Sequence, residues 1–189
     1  MEWFTAAERF TAALASSDPT PGGGAAAAHA GAMGCALALM AAQTTLKRKN
    51  TSPEVKTRLE KSIKRLIALK NQLNTYVQKD SDAYTAYLTA KKLPKENPTR
   101  PEALEQALWF AASVPADTAT TALEVLKEIE TLKPDIAEII FSDILCAKHF
   151  LQACLRCAVE NIRANLVFIQ NEDRKNILEK QITLFLKSC

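Results

Sequence analysis

The chain has 189 residues, of which 48% are hydrophobic and 6% aromatic, and its formal net charge is +3 at pH 7. That length suffices for one domain with a sizeable core, and the sequence shows no repeat or linker, so we expect a single domain over residues 1–189. The weak positive charge argues against a nucleic-acid partner and suits a small anionic ligand.

The first predicted element is a short amphipathic helix over residues 2–15, which we expect to lie on the helix that follows it. Its apolar side chains recur at helical spacing: Trp3, Phe4, Ala7, Phe10 and Leu14. The same stretch has early acidic residues and lacks the apolar core of a secretory signal. We therefore expect a cytoplasmic protein whose five cysteines are reduced.

All five glycines lie within the uncharged segment 19–46. Gly22, Gly23 and Gly24 follow Pro21 and precede a run of alanines, which predicts a shaped turn that leads into a helix. The first N–H groups of a helix have no partner inside it, and glycines leave them open to an anion or a polar ligand. A plain turn is the alternative, because the strand and the lysine of a P-loop are missing.

Small side chains dominate the helix that follows, over residues 25–42, and no polar face is visible. A helix that is apolar all round is buried all round, so we expect it at the centre of a bundle. Its length would also suit a membrane span. However, alanine and glycine, with His29, Gln43 and Thr44, occur where a span would carry leucine and valine. We therefore predict an all-α multihelical bundle around a buried, small-residue central helix, with no membrane partner.

A basic run, Lys47, Arg48 and Lys49, follows this helix. Cations at a helix C-terminus complement the helix dipole, which is the simplest interpretation. The same cations would also suit a carboxylate-bearing tail of a substrate. Both interpretations stay open.

A long amphipathic helix is predicted over residues 53–93, with Ser52 or Thr51 as its cap. Advancing about 100° per residue puts Asp80 in the middle of the apolar stripe and Asp82 on the opposite face. A carboxylate on a buried stripe loses solvation, which raises its pKa and fits it for proton transfer near neutrality. A structural aspartate bonded to a backbone N–H or a lysine is the alternative.

After a loop over residues 94–101, we expect a helix from Glu102 to about Leu132 that Pro115 kinks or splits. Pro134 is expected to begin another long helix, and a charged amphipathic helix over residues 172–188 completes the chain. Four polar or thiol side chains border the apolar face of the helix after Pro134 and either bond across the bundle or line a pocket. They are Asp143, Cys154, Asn161 and Asn165.

The cysteines do not predict a metal site. Cys154 and Cys157 form a single C-x-x-C inside a helical pattern, with no second pair and no histidine at zinc-site spacing. Cys35, Cys146 and Cys189 show no ligand spacing either. We interpret the C-x-x-C pair as packed thiols.

Read together, these features resemble the cyclodeaminase/cyclohydrolase family, which comprises the C-terminal half of formiminotransferase-cyclodeaminase and free-standing methenyltetrahydrofolate cyclohydrolases. The matching motifs run in the family's order along nearly the whole chain. They are P-G-G-G at residues 21–24, Met40, Thr45 with Arg48 and Lys49, D-x-x-A-Y at 80–84, A-x-x-L-P-K at 90–95, S-V-P at 113–115, S-D at 142–143 and N-x-x-x-N-L at 161–166. The serine usual after the triple glycine is Ala25 here.

The resemblance implies a helical bundle, usually a homodimer, with a folate site beside the glycine turn. The family's proton-transferring aspartate corresponds to Asp80, and Pro21, Gly22, Gly23 and Gly24 correspond to the turn. Asp143 would support the site or orient the pterin, Asn165 would bind the substrate, and Lys47, Arg48 and Lys49 would meet the glutamate tail. The reaction would need no metal or redox cofactor, only a tetrahydrofolate derivative as substrate.

The first functional hypothesis is therefore a methenyltetrahydrofolate cyclohydrolase, with formiminotetrahydrofolate cyclodeaminase as the alternative. The absence of an attached formiminotransferase domain favours the cyclohydrolase. A helical module that binds folate without turnover, and an anion-binding module that uses the glycine turn, belong to different functional classes. Loss of turnover in Asp80→Asn with retained binding would separate the enzyme from both.

Overall fold

The computed structural model describes residues 2–188, with only the backbone of Trp3, so the predictions for the Trp3 side chain and for Cys189 lie outside it. Within that range the chain forms six α-helices and no strand. They are α1 (Glu2–Leu14), α2 (Gly23–Leu46), α3 (Pro53–Lys91), α4 (Arg100–Leu132), α5 (Phe141–Leu166) and α6 (Glu172–Lys187). The predicted all-α class is confirmed.

Helices α2 to α5 form an antiparallel four-helix bundle. Contacts between distant residues define the order: α2 packs against α3 and α5, and α4 packs against both of those helices. α2 also touches α4 across the bundle. α6 covers the α4–α5 side, where the Arg174 guanidinium lies 5.0 Å from the centre of the Trp109 ring.

Close approach explains the small side chains of α2. A Cβ atom on Gly34 would lie 2.8 Å from the carbonyl oxygen of Ala147, and one on Gly31 would lie 2.9 Å from Sγ of Cys154. Both neighbours belong to α5, so the glycines let α2 approach α5 more closely than any other residue type allows.

The expectation that α2 is buried on every side is wrong for the single chain. In a four-helix ring each helix keeps one outward face, and on α2 this face includes Met33 and Met40, each 38% exposed. α2 is long and apolar enough to cross a membrane by length and composition, although 61% of its most apolar window is buried in the bundle. α1 touches the same outward face through the rings of Phe10 and His29, whose centres lie 4.5 Å apart.

The helices differ from the sequence prediction at two places. Of the two outcomes predicted for Pro115, the split is wrong, because α4 continues through this residue to Leu132 without a break. α5 begins at Phe141 and not at Pro134, because Ile136 and Ala137 adopt extended backbone angles between two short 3₁₀ turns. The N–H of Ala137 donates to Oγ1 of Thr45 at 3.1 Å, so this segment folds over the C-terminal end of α2.

Candidate active site

A cavity of about 280 Å³ opens at the end of the bundle where α2 begins and α5 ends. Four helices and two connecting segments contribute to its wall. The lining residues are Pro19, Thr20, Gly22, Gly23, Gly24, Asp80, Ala83, Tyr84, Tyr87, Leu108, Ala111, Asn161, Asn165 and Phe168. The predicted aspartate and the predicted glycines therefore lie in one cavity.

Asp80 joins α3 to the first turn of α2. Its Oδ2 accepts a hydrogen bond of 2.9 Å from the N–H of Ala25. The α2 N-cap, Gly22, has no side chain to supply this bond, so a carboxylate from another helix caps α2. Burial raises the pKa of Asp80 above its ordinary value, and the bond from Ala25 lowers that pKa in part.

The turn glycines differ in how much space they need. A Cβ atom on Gly24 would overlap the Asp80 carboxylate, so only glycine allows the observed contact between α2 and Asp80. A Cβ on Gly23 would lie 3.3 Å from Nδ2 of Asn161, whereas one on Gly22 would meet nothing closer than 3.7 Å. Pro21 follows a cis peptide bond and is not among the lining residues.

The start of α2 supplies donors to the cavity. The N–H groups of Gly23 and Gly24 have no partner inside the helix, because the first turn lacks preceding carbonyls. Both residues line the cavity, next to Asp80. A helix N-terminus carries a partial positive charge, so the cavity combines hydrogen-bond donors with one carboxylate.

An apolar and aromatic wall surrounds this polar centre. Tyr84 and Tyr87 stand one and two helical turns beyond Asp80 on α3, and Leu108 faces them from α4. Phe168, just after α5, is 59% exposed and also lines the cavity. Such a wall suits a planar ring system better than a simple phosphate.

Two asparagine amides from α5 form the remaining wall. Nδ2 of Asn165 donates to the carbonyl oxygens of Ala111 at 3.2 Å and Asn161 at 2.9 Å. Nδ2 of Asn161 donates to the carbonyl oxygen of Cys157 at 2.8 Å. Both amide donors of Asn165 and one of the two donors of Asn161 thus bond to helix carbonyls, and the Oδ1 atoms are left as acceptors.

The basic run and Asp143 are not brought to this cavity within one chain. Lys47, Arg48 and Lys49 follow the C-terminal end of α2, which lies about 36 Å from its N-terminal end at 1.5 Å per residue. Arg48 lines a different groove, to which Asp135 also contributes. Asp143 lies in the first turn of α5, about 33 Å along that helix from Asn165.

Several lining residues were not singled out as site residues from the sequence. Tyr84 and Tyr87 follow Asp80 at helical spacing, so the helical period was the signal that would have added them. Asn161 was noted from the sequence as a side chain that either bonds across the bundle or lines a pocket, and it does line the cavity. Phe168 carried no such signal, because it lies beyond the end of α5.

The cysteines agree only in part with the packed-thiol interpretation. Cys154 is buried, but Cys157 and Cys146 are exposed. Sγ of Cys35 donates to the carbonyl oxygen of Leu66 at 3.3 Å, and burial raises the pKa of this thiol to about 12. Among residues 2–188, no three histidine, cysteine, aspartate or glutamate side chains cluster as metal ligands.

Comparison with known proteins identifies relatives along almost the whole chain. The family model described as formiminotransferase-cyclodeaminase matches residues 6–183. A methenyltetrahydrofolate cyclohydrolase from Methylorubrum extorquens is 34% identical over 162 residues, which cover 84% of this chain and 77% of the relative. The formimidoyltransferase-cyclodeaminase of Sus scrofa is 30% identical over 95% of this chain, which spans only 34% of that longer protein.

A solved structure shares the fold. The crystal structure of formiminotetrahydrofolate cyclodeaminase from Thermotoga maritima superposes with a TM-score of 0.86 and 28% sequence identity. The match covers 96% of this chain and 88% of that chain.

Proposed function

The chain belongs to the formiminotransferase-cyclodeaminase family, and we propose that it hydrolyses 5,10-methenyltetrahydrofolate to 10-formyltetrahydrofolate with Asp80 as general acid and base. One observation carries this proposal: a carboxylate of raised pKa lies in a cavity beside the open start of α2. The similarity to a methenyltetrahydrofolate cyclohydrolase along 77% of that protein's length supports the substrate class.

Asp80 transfers a proton twice in this reaction. It accepts one proton from the water that adds to the methenyl carbon and returns that proton to the folate nitrogen that leaves, and the second proton of the water is released to solvent as the formyl C=O bond forms. The N–H groups of Gly23 and Gly24 stabilise negative charge that develops on the attacking oxygen. No metal or redox cofactor is needed for these steps.

The aromatic wall supports a tetrahydrofolate ligand over a simple anion. Tyr84, Tyr87 and Phe168 offer ring faces for the pterin and the aminobenzoyl group. The charged glutamate tail then extends towards solvent. The predicted partner is thus a small molecule, and the predicted compartment remains the cytoplasm.

Formiminotetrahydrofolate cyclodeaminase is the second candidate, supported by the Thermotoga maritima structure. This chain covers 88% of that cyclodeaminase, so an attached formiminotransferase domain does not distinguish the two activities. In the deaminating reaction a folate nitrogen closes on the formimino carbon and ammonia leaves, and Asp80 moves the proton in the same way.

Two assays on one preparation separate these candidates. Absorbance of methenyltetrahydrofolate measures hydrolysis, and a coupled ammonia assay with formiminotetrahydrofolate measures deamination. We expect hydrolysis to be faster than the buffer rate and to exceed deamination in kcat/KM. Faster ammonia release would favour the cyclodeaminase. Rates equal to those in buffer in both assays would show that the protein is a folate-binding module without turnover.

A homodimer through the outward face of α2 is the proposed oligomer. This surface, named here the α2 outer stripe, comprises Ala26, Ala30, Met33, Leu37 and Met40. None of its side chains is charged, and Met33 and Met40 are its most exposed large hydrophobic residues. A second copy of the chain is the occupant that matches such an uncharged, self-complementary helix face.

Antiparallel pairing of the two α2 helices fits the charges best. Parallel pairing would bring the two basic runs side by side and make them repel each other. Antiparallel pairing brings Lys47, Arg48 and Lys49 of the partner towards the glycine turn. In this arrangement the basic run is available to the glutamate tail, although the single chain separates it from the cavity.

A further inference from the structure

Pro115 lies at a position in α4 where a proline destabilises the helix. It is buried in the middle of a continuous helix of 33 residues. Proline in a helix interior removes one backbone hydrogen bond, and its ring pushes away the carbonyl four residues earlier, at a cost of about 3 kcal/mol. The carbonyl that loses its partner belongs to Ala111, a lining residue of the cavity.

The freed carbonyl of Ala111 has a different partner. Nδ2 of Asn165 crosses from α5 and donates to it at 3.2 Å, while its other hydrogen bonds the Asn161 carbonyl oxygen at 2.9 Å. An amide has two N–H donors, so both donors of Asn165 are used. Oδ1 is then the remaining polar atom of this side chain, and it can only accept.

We propose that Pro115 is a positioning residue for Asn165, and that Asn165 recognises an N–H group on the ring of the bound ligand. The Ala111 carbonyl holds the amide in one orientation, so Asn165 presents an acceptor and not a donor to the cavity. Asn161, one turn earlier, offers a further Oδ1 acceptor, while one of its two N–H groups bonds the Cys157 carbonyl oxygen. A reduced pterin carries such N–H groups, whereas an aminobenzoylglutamate fragment has no pterin edge. This inference rests on the proposed folate function.

Calorimetric binding of tetrahydrofolate tests the inference without requiring turnover. We expect Asn165→Ala and Pro115→Ala each to weaken binding roughly 3- to 10-fold, the range of one neutral hydrogen bond. Because Pro115 acts through Asn165, the double variant should bind no more weakly than Asn165→Ala alone. Binding of p-aminobenzoylglutamate should be the same in all variants, and Thr131→Ala, an exposed change on α4, should match wild type.

Thermal unfolding separates positioning from a structural role. Pro115→Ala restores a helix N–H, so its melting temperature should equal or exceed that of wild type while its affinity falls. Unchanged affinity in both single variants, or additive losses in the double variant, would overturn the inference. If Pro115→Ala does not fold, the inference is still overturned when Asn165→Ala and wild type bind tetrahydrofolate equally well. Absence of binding by wild type would overturn the folate function together with this inference.

Discussion

Asp80 has two physical roles that oppose each other in their effect on its pKa. Burial disfavours its charged form, while the bond from the Ala25 N–H favours that form. Burial is the larger effect, so the pKa of Asp80 is raised above the ordinary 3.8. The residue that fits proton transfer is therefore also a residue that destabilises the fold when it is ionised.

The stability of Asp80→Asn should reveal this cost. Between the ordinary pKa of 3.8 and the raised value, the folded state binds more protons than the unfolded state, so stability falls as pH rises. Asparagine carries no charge and keeps an oxygen for the Ala25 N–H. We expect Asp80→Asn to melt higher than wild type at neutral pH, with a difference that shrinks as pH falls through this window. A lower melting temperature at neutral pH would contradict the dominance of burial.

Substitution of Gly24 should lower turnover strongly, as substitution of Asp80 does. The methyl group of Gly24→Ala overlaps the Asp80 carboxylate and displaces it, and displacement of about 1 Å is worth on the order of 100-fold in rate. We therefore expect kcat to fall by about that factor in the methenyltetrahydrofolate assay. In an Asp80→Asn background the same change should add little, and a full additional loss would show that Gly24 acts independently of Asp80.

At the residue scale, helical phase was enough to predict that Asp80 lies on the apolar stripe of α3, because a 3.6-residue period locates a side chain on its own helix. It was not enough for contacts between helices. The bond from Asn165 to the Ala111 carbonyl joins residues 54 positions apart, and no local pattern encodes that distance. A bond from a backbone N–H to Asp80 was one sequence-based alternative, but its donor, the Ala25 N–H at the start of α2, could not be identified for the same reason.

At the element scale, close packing of α2 against α5 depends on glycine. A methyl group at Gly34 meets the Ala147 backbone oxygen, which moves only if α5 moves, whereas a methyl group at Gly31 meets mainly side-chain atoms of Cys154 and Leu73. Gly34→Ala should therefore destabilise the fold by about 1–3 kcal/mol, and Gly31→Ala by less. Urea unfolding of both variants checks the order, and equal stabilities would contradict it.

The boundaries of elements were predicted unevenly. Ser52 caps α3 as expected, since its side chain accepts from the Val55 N–H at 3.4 Å. The start of α5 was misplaced because Pro134 suits the first turn of either an α-helix or a 3₁₀ turn. Whether the chain forms an α-helix or a 3₁₀ turn at Pro134 depends on the contact between Ala137 and Thr45, which forms only in the folded bundle.

At the scale of the whole molecule, the sequence predicted the bundle but not the exposed side of α2. An apolar, uncharged helix has the same sequence pattern whether its remaining face packs against another helix of the chain or against another subunit. Met33 and Met40 show that the single chain leaves this face open. The homodimer that the family resemblance implied would account for it.

Light scattering during size-exclusion chromatography tests the homodimer. Wild type should have twice the 20.7 kDa mass of one chain. Met33→Glu places a charge on the α2 outer stripe and should give a monomer, because an unpaired charge in an apolar interface is strongly unfavourable. Leu184→Glu changes a residue that is 55% exposed on α6 and should stay dimeric. A monomeric wild type, or a dimeric Met33→Glu, would contradict the proposed interface.

The most direct test of the central claim is the hydrolysis of methenyltetrahydrofolate by wild type, Asp80→Asn and Asp82→Asn. Asp82 is the matched control, because it lies on the exposed face of α3 and its Oδ1 accepts a hydrogen bond from the neighbouring Gln78. We predict that Asp80→Asn lowers kcat about 10²- to 10⁴-fold with little change in affinity, while Asp82→Asn keeps the wild-type rate. Equal rates for Asp80→Asn and wild type would contradict proton transfer by Asp80.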